Sequence, residues 1–357
     1  MPLSSPSAPP DRLAVASAIA SAVASAVLVV ASPLRADTTF SVTYTTPTGD
    51  RWNYPFNPTP GLRPTASVFG NEAGSPLFDN RDGQMTIVFN TDADIPAGRG
   101  ASSYAVTSAR LTLQFATDMA LAYDDSTDPW QSFVLKSDRN FVQDRDPGQP
   151  VELFGVGFRN GWSADTWVET SPYAPGGSSL LNPGIRNAYA LGYDSKGNLV
   201  DVSNNVRDMF TPEAFAIGAV PGVEPGDLIP IDSLCVFDLA IDNPIVLSYL
   251  QQNLDQGKVL FSVTSLAKVV QQGTLFPAFY CKENPLVIDG LAHAAKLELS
   301  VKLVECITAD FDCDGVVGSV DLALLLGAWG GSDPLYDVNG NGTVGPEDLA
   351  ILLGAWS

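Results

Sequence analysis

The chain has one histidine, four cysteines and only 19 lysines and arginines against 40 aspartates and glutamates. Each shortage removes a class of chemistry. The single His293 excludes histidine-rich metal catalysis, and any Ser/His/Asp triad would have to use it. No G-x-S-x-G elbow accompanies it, and in DGLAHAAKLEL it stands just before an alternating segment, where a lone histidine is a structural or surface residue. No CxxC pair supplies the close ligand spacing of a four-cysteine zinc site. The shortage of bases leaves a formal net charge of −21, which repels phosphate backbones and anionic headgroups, so nucleic acid is not expected as a partner. Both phosphate-cradling glycine motifs are missing, and strands do not alternate with helices in the βαβ manner. Beyond residue 31 no apolar run is long enough to span a bilayer.

What is present divides the 357 residues into three parts, more than one core's worth of chain. Residues 13–31, LAVASAIASAVASAVLVVA, are apolar or small throughout and lead into Ser32, Pro33, Leu34, Arg35 and Ala36. This reads as an export signal over residues 1–36, the mature chain starting near Ala31 or Asp37 and residing outside the cell or on its surface, with no membrane span after cleavage. An uncleaved anchor is the alternative, for which the Ala/Ser content is poor. An exported setting suits disulfides, and Cys235, Cys281, Cys306 and Cys313 allow three pairings. Proximity favours Cys306 with Cys313 and leaves Cys235 with Cys281; buried free thiols are the other possibility.

From Asp37 to Glu305 the sequence is dense in Gly, Pro, Asn, Asp, Thr and Ser, broken by short alternating segments, the pattern of a mostly β domain built as an antiparallel β-sandwich. Ala109, Leu111, Leu113 and Phe115 alternate with Arg110, Thr112 and Gln114. Leu297, Leu299, Val301 and Leu303 alternate with Lys296, Glu298, Ser300 and Lys302. Met85, Ile87 and Phe89, and Val259, Phe261 and Val263, predict two more strands. Residues 50–64, 137–150 and 163–187 are long polar loops. One helix is predicted after Asn243, with Pro244 in its first turn, Val246, Tyr249, Leu250 and Leu254 on one stripe and Gly257 as its stop. A single inserted helix suits a jelly-roll-like sandwich.

Residues 306–357 carry the clearest motif. Calcium needs hard oxygen ligands brought round one ion by a tight loop, with side chains entering at loop positions one, three, five and twelve, a carbonyl at seven and glycine at six. DFDCDGVVGSVD supplies Asp310, Asp312, Asp314 and Asp321, the Val316 carbonyl, and Gly315 at the turn. DVNGNGTVGPED supplies Asp337, Asn339, Asn341 and Asp348, the Thr343 carbonyl, and Gly342 at the turn. The second loop has fewer carboxylates and is expected to bind more weakly. Asp337 follows Asp310 by 27 residues, and leucines and tryptophan recur in the same register: Leu322, Leu325, Leu326 and Trp329, then Leu349, Leu352, Leu353 and Trp356. Each stripe predicts a short helix too small to be stable alone, so the two are expected to bury these faces against each other.

This tail resembles the type I dockerin module, in which each half pairs a calcium loop with one following helix. Aspartate at loop position twelve, met here by Asp321 and Asp348, is part of the likeness. The resemblance implies two calcium ions and a cohesin domain or cell-surface component as partner. The residues that would contact a cohesin depart from the family: loop positions ten and eleven are Ser319 and Val320, then Pro346 and Glu347, in place of Ser and Thr. Leu326, Gly327, Leu353 and Gly354 stand where basic residues are expected, and the LLGAW form is similar to dockerin variants on secreted bacterial proteins that have no evident cellulosome.

Two readings of the main domain remain. The first is a non-catalytic carbohydrate-binding or cell-surface module; the second is a polysaccharide-degrading glycoside hydrolase, which needs only two carboxylates held roughly 5–10 Å apart. Glu152, Asp165 and Glu169 lie near Trp162, Trp167 and Tyr173, and Trp52, Tyr54, Phe56 and Phe69 form a second aromatic group. Sandwich aromatics usually fill the core and aspartates usually cap turns, which favours the non-catalytic reading.

Overall fold

The computed structural model describes residues 38–71, 74–268, 275–304, 307–313 and 315–357. The expected export segment, Cys306 and the loop ligand Asp314 lie outside the described residues. The chain is mostly β, with antiparallel sheets and few helices. The strands are β1 (Thr38–Tyr44), β2 (Gly49–Asn53), β3 (Thr65–Ser67), β4 (Gln84–Asn90), β5 (Tyr104–Gln114), β6 (Glu152–Phe158), β7 (Ala188–Tyr193), β8 (Leu199–Asp201), β9 (Ala216–Ile217), β10 (Leu234–Asp238), β11 (Lys258–Thr264), β12 (Ala278–Tyr280) and β13 (Lys296–Leu303). The helices are α1 (Trp130–Phe133), α2 (Pro244–Asp255), α3 (Pro285–Ile288), α4 (Ser319–Gly327) and α5 (Pro346–Gly354). None of them is long and apolar enough to cross a membrane.

A four-stranded sheet runs β1-β13-β5-β10, and a larger one runs β2-β4-β11-β6-β7-β8 with β9 beside β6; β12 and β3 form a small third sheet. Register follows the alternation in the sequence. Leu297 faces Leu111 and Leu299 faces Ala109 across β13 and β5, all buried, whereas Arg110 turns outward to pair with Asp238 on β10 at 2.6 Å. Across β4 and β11, Met85, Ile87 and Phe89 meet Val263, Phe261 and Val259. Side chains from the two large sheets join one hydrophobic core.

Helix α2 forms where expected. Asn243 accepts the Ile245 amide at 2.9 Å, and Gly257 leaves the helix at φ +75°. Val246, Tyr249, Leu250 and Leu254 are buried. The Tyr249 hydroxyl accepts the Val156 amide (2.8 Å) and donates to the Leu260 carbonyl (2.7 Å), tying α2 to β6 and β11. Gly155 makes room for it, because a Cβ there would fall 2.7 Å from the tyrosine ring.

The outer face of the larger sheet is covered as well, and the alternation of its strands gave no sign of this. Residues 163–187 lie over it, placing Trp167 against Leu260, Val156 and Ala188. Beside them is a layer of buried charge. Arg186 donates to Asp79 (2.6 Å) and to the carbonyls of Asn53, Arg81 and Asp82; Arg81 pairs with Glu152; Arg51 donates to the carbonyls of Glu169 and Ser171. Residues 50–53, read as loop, are part of β2 because β4 offers them an edge.

One expectation fails outright. Cys235 and Cys281 are free thiols rather than a disulfide. Cys235 is packed in β10 against Gly218, and Cys281 follows β12; both are core residues, where a thiol acts as a small apolar group. Cys313 is disulfide-bonded.

Candidate metal centre

In the tail, the two loops hold their polar atoms in the same way, 27 residues apart. Loop position one accepts the amide of the turn glycine: Asp310 Oδ2 from Gly315 at 3.0 Å, Asp337 Oδ2 from Gly342 at 2.6 Å. Position twelve accepts from positions three and nine. Asp321 takes Asp312 (3.3 Å) on Oδ1 and Gly318 (2.7 Å) on Oδ2; Asp348 takes Asn339 (3.0 Å) and Gly345 (2.8 Å). In loop two Asn339 and Asn341 each accept an amide at 2.9 Å, from Asn341 and Thr343. Gly315 and Gly342 sit at φ +89° and +92°, a region that glycine enters without strain, and the turn folds the carboxylates inward there.

Asp321 and Asp348 also stand in the first turns of α4 and α5, so one carboxylate closes a loop and faces a helix N-terminus. Burial works against ionisation of Asp321, but amides from Gly318, Phe311 and Asp312 outweigh it and hold the carboxyl below its ordinary value. Asp348 is held down likewise against burial, by Asn339, Gly345 and Val338.

Asp310, Asp312 and Asp321 each bring a carboxylate oxygen within 4.8 Å of the others. That spread matches oxygens arranged around a cation with ligand distances of about 2.3–2.6 Å. Asp337, Asn339, Asn341 and Asp348 share the backbone pattern, and Val316 and Thr343 lie one residue beyond the turn glycines with their carbonyls as further donors. Of the ligand set expected from the sequence, the carboxylate oxygens of Asp310, Asp312 and Asp321 lie together, and the loop-two residues repeat their hydrogen bonding.

The halves lock together. Gly330 donates to the Val344 carbonyl (2.9 Å), and its repeat Ser357 donates to the Val317 carbonyl (3.2 Å). Val317, Leu325, Val344 and Leu352 are buried in a small core with Ala309. The predicted stripes are only half right: Leu325 and Leu352 are buried, whereas Leu326, Leu353, Trp329 and Trp356 are each between 44% and 53% exposed. Successive residues on a helix point about 100° apart, so a nine-residue helix touching its partner along one line can bury only one of two adjacent leucines.

The main-domain candidates are scattered. Glu152 is buried against Arg81, Asp165 pairs with Lys258 (3.0 Å), and Glu169 pairs with Lys282 (2.7 Å). Glu152 and Asp165 are held by separate bases, whereas Glu169 shares Lys282 with Asp50 and Glu283, the three bringing carboxylate oxygens within 4.8 Å of one another. His293 is exposed, its amide bonded to Gln114, and no carboxylate forms an ion pair with it among the described residues. The second aromatic group does assemble. Trp52 stacks on Tyr54 (ring centroids 4.5 Å), which touches Phe56 and Phe69, and Phe276 joins Phe69 at 5.2 Å. Trp52, Tyr54, Ser67, Phe69 and Phe276 line a surface depression. Neither a family model nor a curated protein matches this chain.

Proposed function

We propose that the protein is an exported, non-catalytic β-sandwich of jelly-roll type whose dockerin-like tail binds two calcium ions and attaches it to a cohesin-like domain or another cell-surface component. The observation that carries this reading is the repeated hydrogen bonding of the two loops, position one to the glycine at six and position twelve to positions three and nine. Asp310, Asp312, Asp314, Asp321 and the Val316 carbonyl hold one ion; Asp337, Asn339, Asn341, Asp348 and the Thr343 carbonyl hold the other. Bound calcium neutralises the clustered oxygens, and the backbone amides keep the loops turned to receive it.

Attachment is supported by the exposed apolar side chains of Val320, Leu326, Leu353 and Trp356, which are available to a protein partner. For the main domain, the Trp52–Tyr54 depression supports contact with polysaccharide, since stacked rings present flat apolar faces to sugars. A dockerin-bearing glycoside hydrolase is the competing function; against it, Glu152 and Asp165 are held in separate ion pairs and the carboxylates of Asp50, Glu169 and Glu283 are all tied to Lys282.

Calcium binding by residues 37–357, measured by equilibrium dialysis, tests the tail. The Asp310→Ala/Asp337→Ala double variant is expected to bind two fewer ions per chain than the unaltered protein; equal stoichiometry refutes the reading. Release of reducing sugar from polysaccharide would replace the non-catalytic assignment with the hydrolase.

A further inference from the structure

Outside the tail, residues 122–128 and 144–149 bring four aspartates together. Asp124, Asp128 and Asp146 each offer a carboxylate oxygen within 4.8 Å of the others, and Asp144 interacts with both Asp128 and Asp146. Asp124 is 1% exposed and Asp128 6%. Among the described residues no lysine or arginine forms an ion pair with any of the four.

The hydrogen bonding inside this group is incomplete. Asp124 Oδ1 accepts the Ser126 amide at 2.8 Å, but Oδ2 is buried and meets no donor. The Ser126 hydroxyl lies 3.0 Å from Asp124 Oδ1 and 2.9 Å from Asp146 Oδ2. One hydroxyl proton cannot serve both oxygens. Asp128 receives the Gln149 side-chain amide at 3.4 Å, a long contact. A buried carboxylate oxygen without a donor is costly, and a cation removes that cost.

The two segments are also held in fixed relation. Gln149 donates to the Ala122 carbonyl (3.0 Å) and Gly226 to the Tyr123 carbonyl (2.8 Å). Gly148, at φ +106°, lies so near that a Cβ would fall 2.1 Å from the Tyr123 carbonyl oxygen. Only glycine permits that approach.

We infer that Asp124, Asp128 and Asp146 form a third divalent-cation site, in the main domain, with the unpartnered Asp124 Oδ2 as its anchoring ligand and the Ser126 hydroxyl beside it. The donors are all oxygen, with no histidine or thiolate, which selects calcium over zinc or copper. Burial, with Asp144 and Asp124 adding, pushes Asp128 up to about 8 when no ion is present, so a shared proton is the competing way to relieve the same charge.

The test uses residues 37–357 carrying Asp310→Ala and Asp337→Ala, which silences the tail. Equilibrium dialysis at about 1 mM calcium, in the affinity range of extracellular sites, is expected to find one ion per chain. Adding Asp124→Asn or Asp128→Asn should reduce this to none. Calcium should also raise the thermal midpoint of the tail-silenced parent, and Asp128→Asn should abolish that rise while melting no lower than the parent in EGTA, because the amide keeps the shape and needs neither a cation nor a proton. No bound ion in the parent, leaving the shared proton as the explanation, overturns the site. So does an ion retained by both asparagine variants. If the tail reading alone fails, the unaltered chain still binds one ion.

Discussion

Asp82 and Arg186 show how differently two buried charges behave in one layer. Arg186 is wholly buried but reaches a carboxylate and three carbonyls, so its charge is satisfied. Asp82 Oδ1 has no partner, and burial, with Asp79 adding, pushes its carboxyl up to about 7 despite Arg186. The folded protein therefore keeps a proton that the unfolded chain releases from about pH 4 upward, and stability falls as pH rises between about 4 and 7. Asp82→Asn should remove that share of the slope and stabilise the protein at pH 8 by about 1–3 kcal/mol, with little effect at pH 4. Urea denaturation at both pH values checks this, and an equal loss at both would show that the carboxylate is needed as an acceptor. The donors and acceptors of this layer come from residues 51–53, 79–82, 152, 169–171 and 186, too far apart in sequence for any spacing rule to join them.

Among the elements, α4 and α5 owe their stability to each other and to the loops that precede them. Leu352 is fully buried between them, whereas Trp356 is 45% exposed. Leu352→Ala should destabilise the tail by about 2–4 kcal/mol, and Leu353→Ala, at an exposed neighbour of the same type, by about 0.5 kcal/mol or less. Calcium-loaded thermal melts followed by tryptophan fluorescence distinguish them; similar losses would mean that the small core is not arranged as described. Helix α2 was legible in full because cap, proline, stripe and stop agree along one short stretch. The tail stripes were legible only as apolar, since sequence spacing does not say which of two adjacent leucines faces the partner.

Across the whole molecule, the free thiols report on global packing. Cys235 and Cys281 are fully buried, and burial pushes both thiols well above their ordinary value. Neither should react with a thiol reagent at pH 8 in the native state, and both should react once the chain is unfolded in denaturant without reductant. Reaction of either at native-state rates would show that the core opens locally, and failure of both to react after unfolding would restore the disulfide left over once Cys306 is paired with Cys313. Cys235 and Cys281 follow the free-thiol alternative because a pairing reached by elimination says nothing about two segments that enter the core from different sheets.

The sequence alone determined what is local and periodic: the alternating strands, the capped helix, and two glycine-turned acidic loops whose spacing repeats every 27 residues. Their pattern depends on a few consecutive residues, and backbone geometry allows few other solutions. Only the tertiary structure decided the rest: the covered outer face of the larger sheet, the fate of the cysteines, the meeting of Trp52 with Phe276, and the convergence of Asp124, Asp128 and Asp146. Each of these brings together residues whose separation in the chain carries no signal, and the packing of whole sheets and loops sets the distances between them.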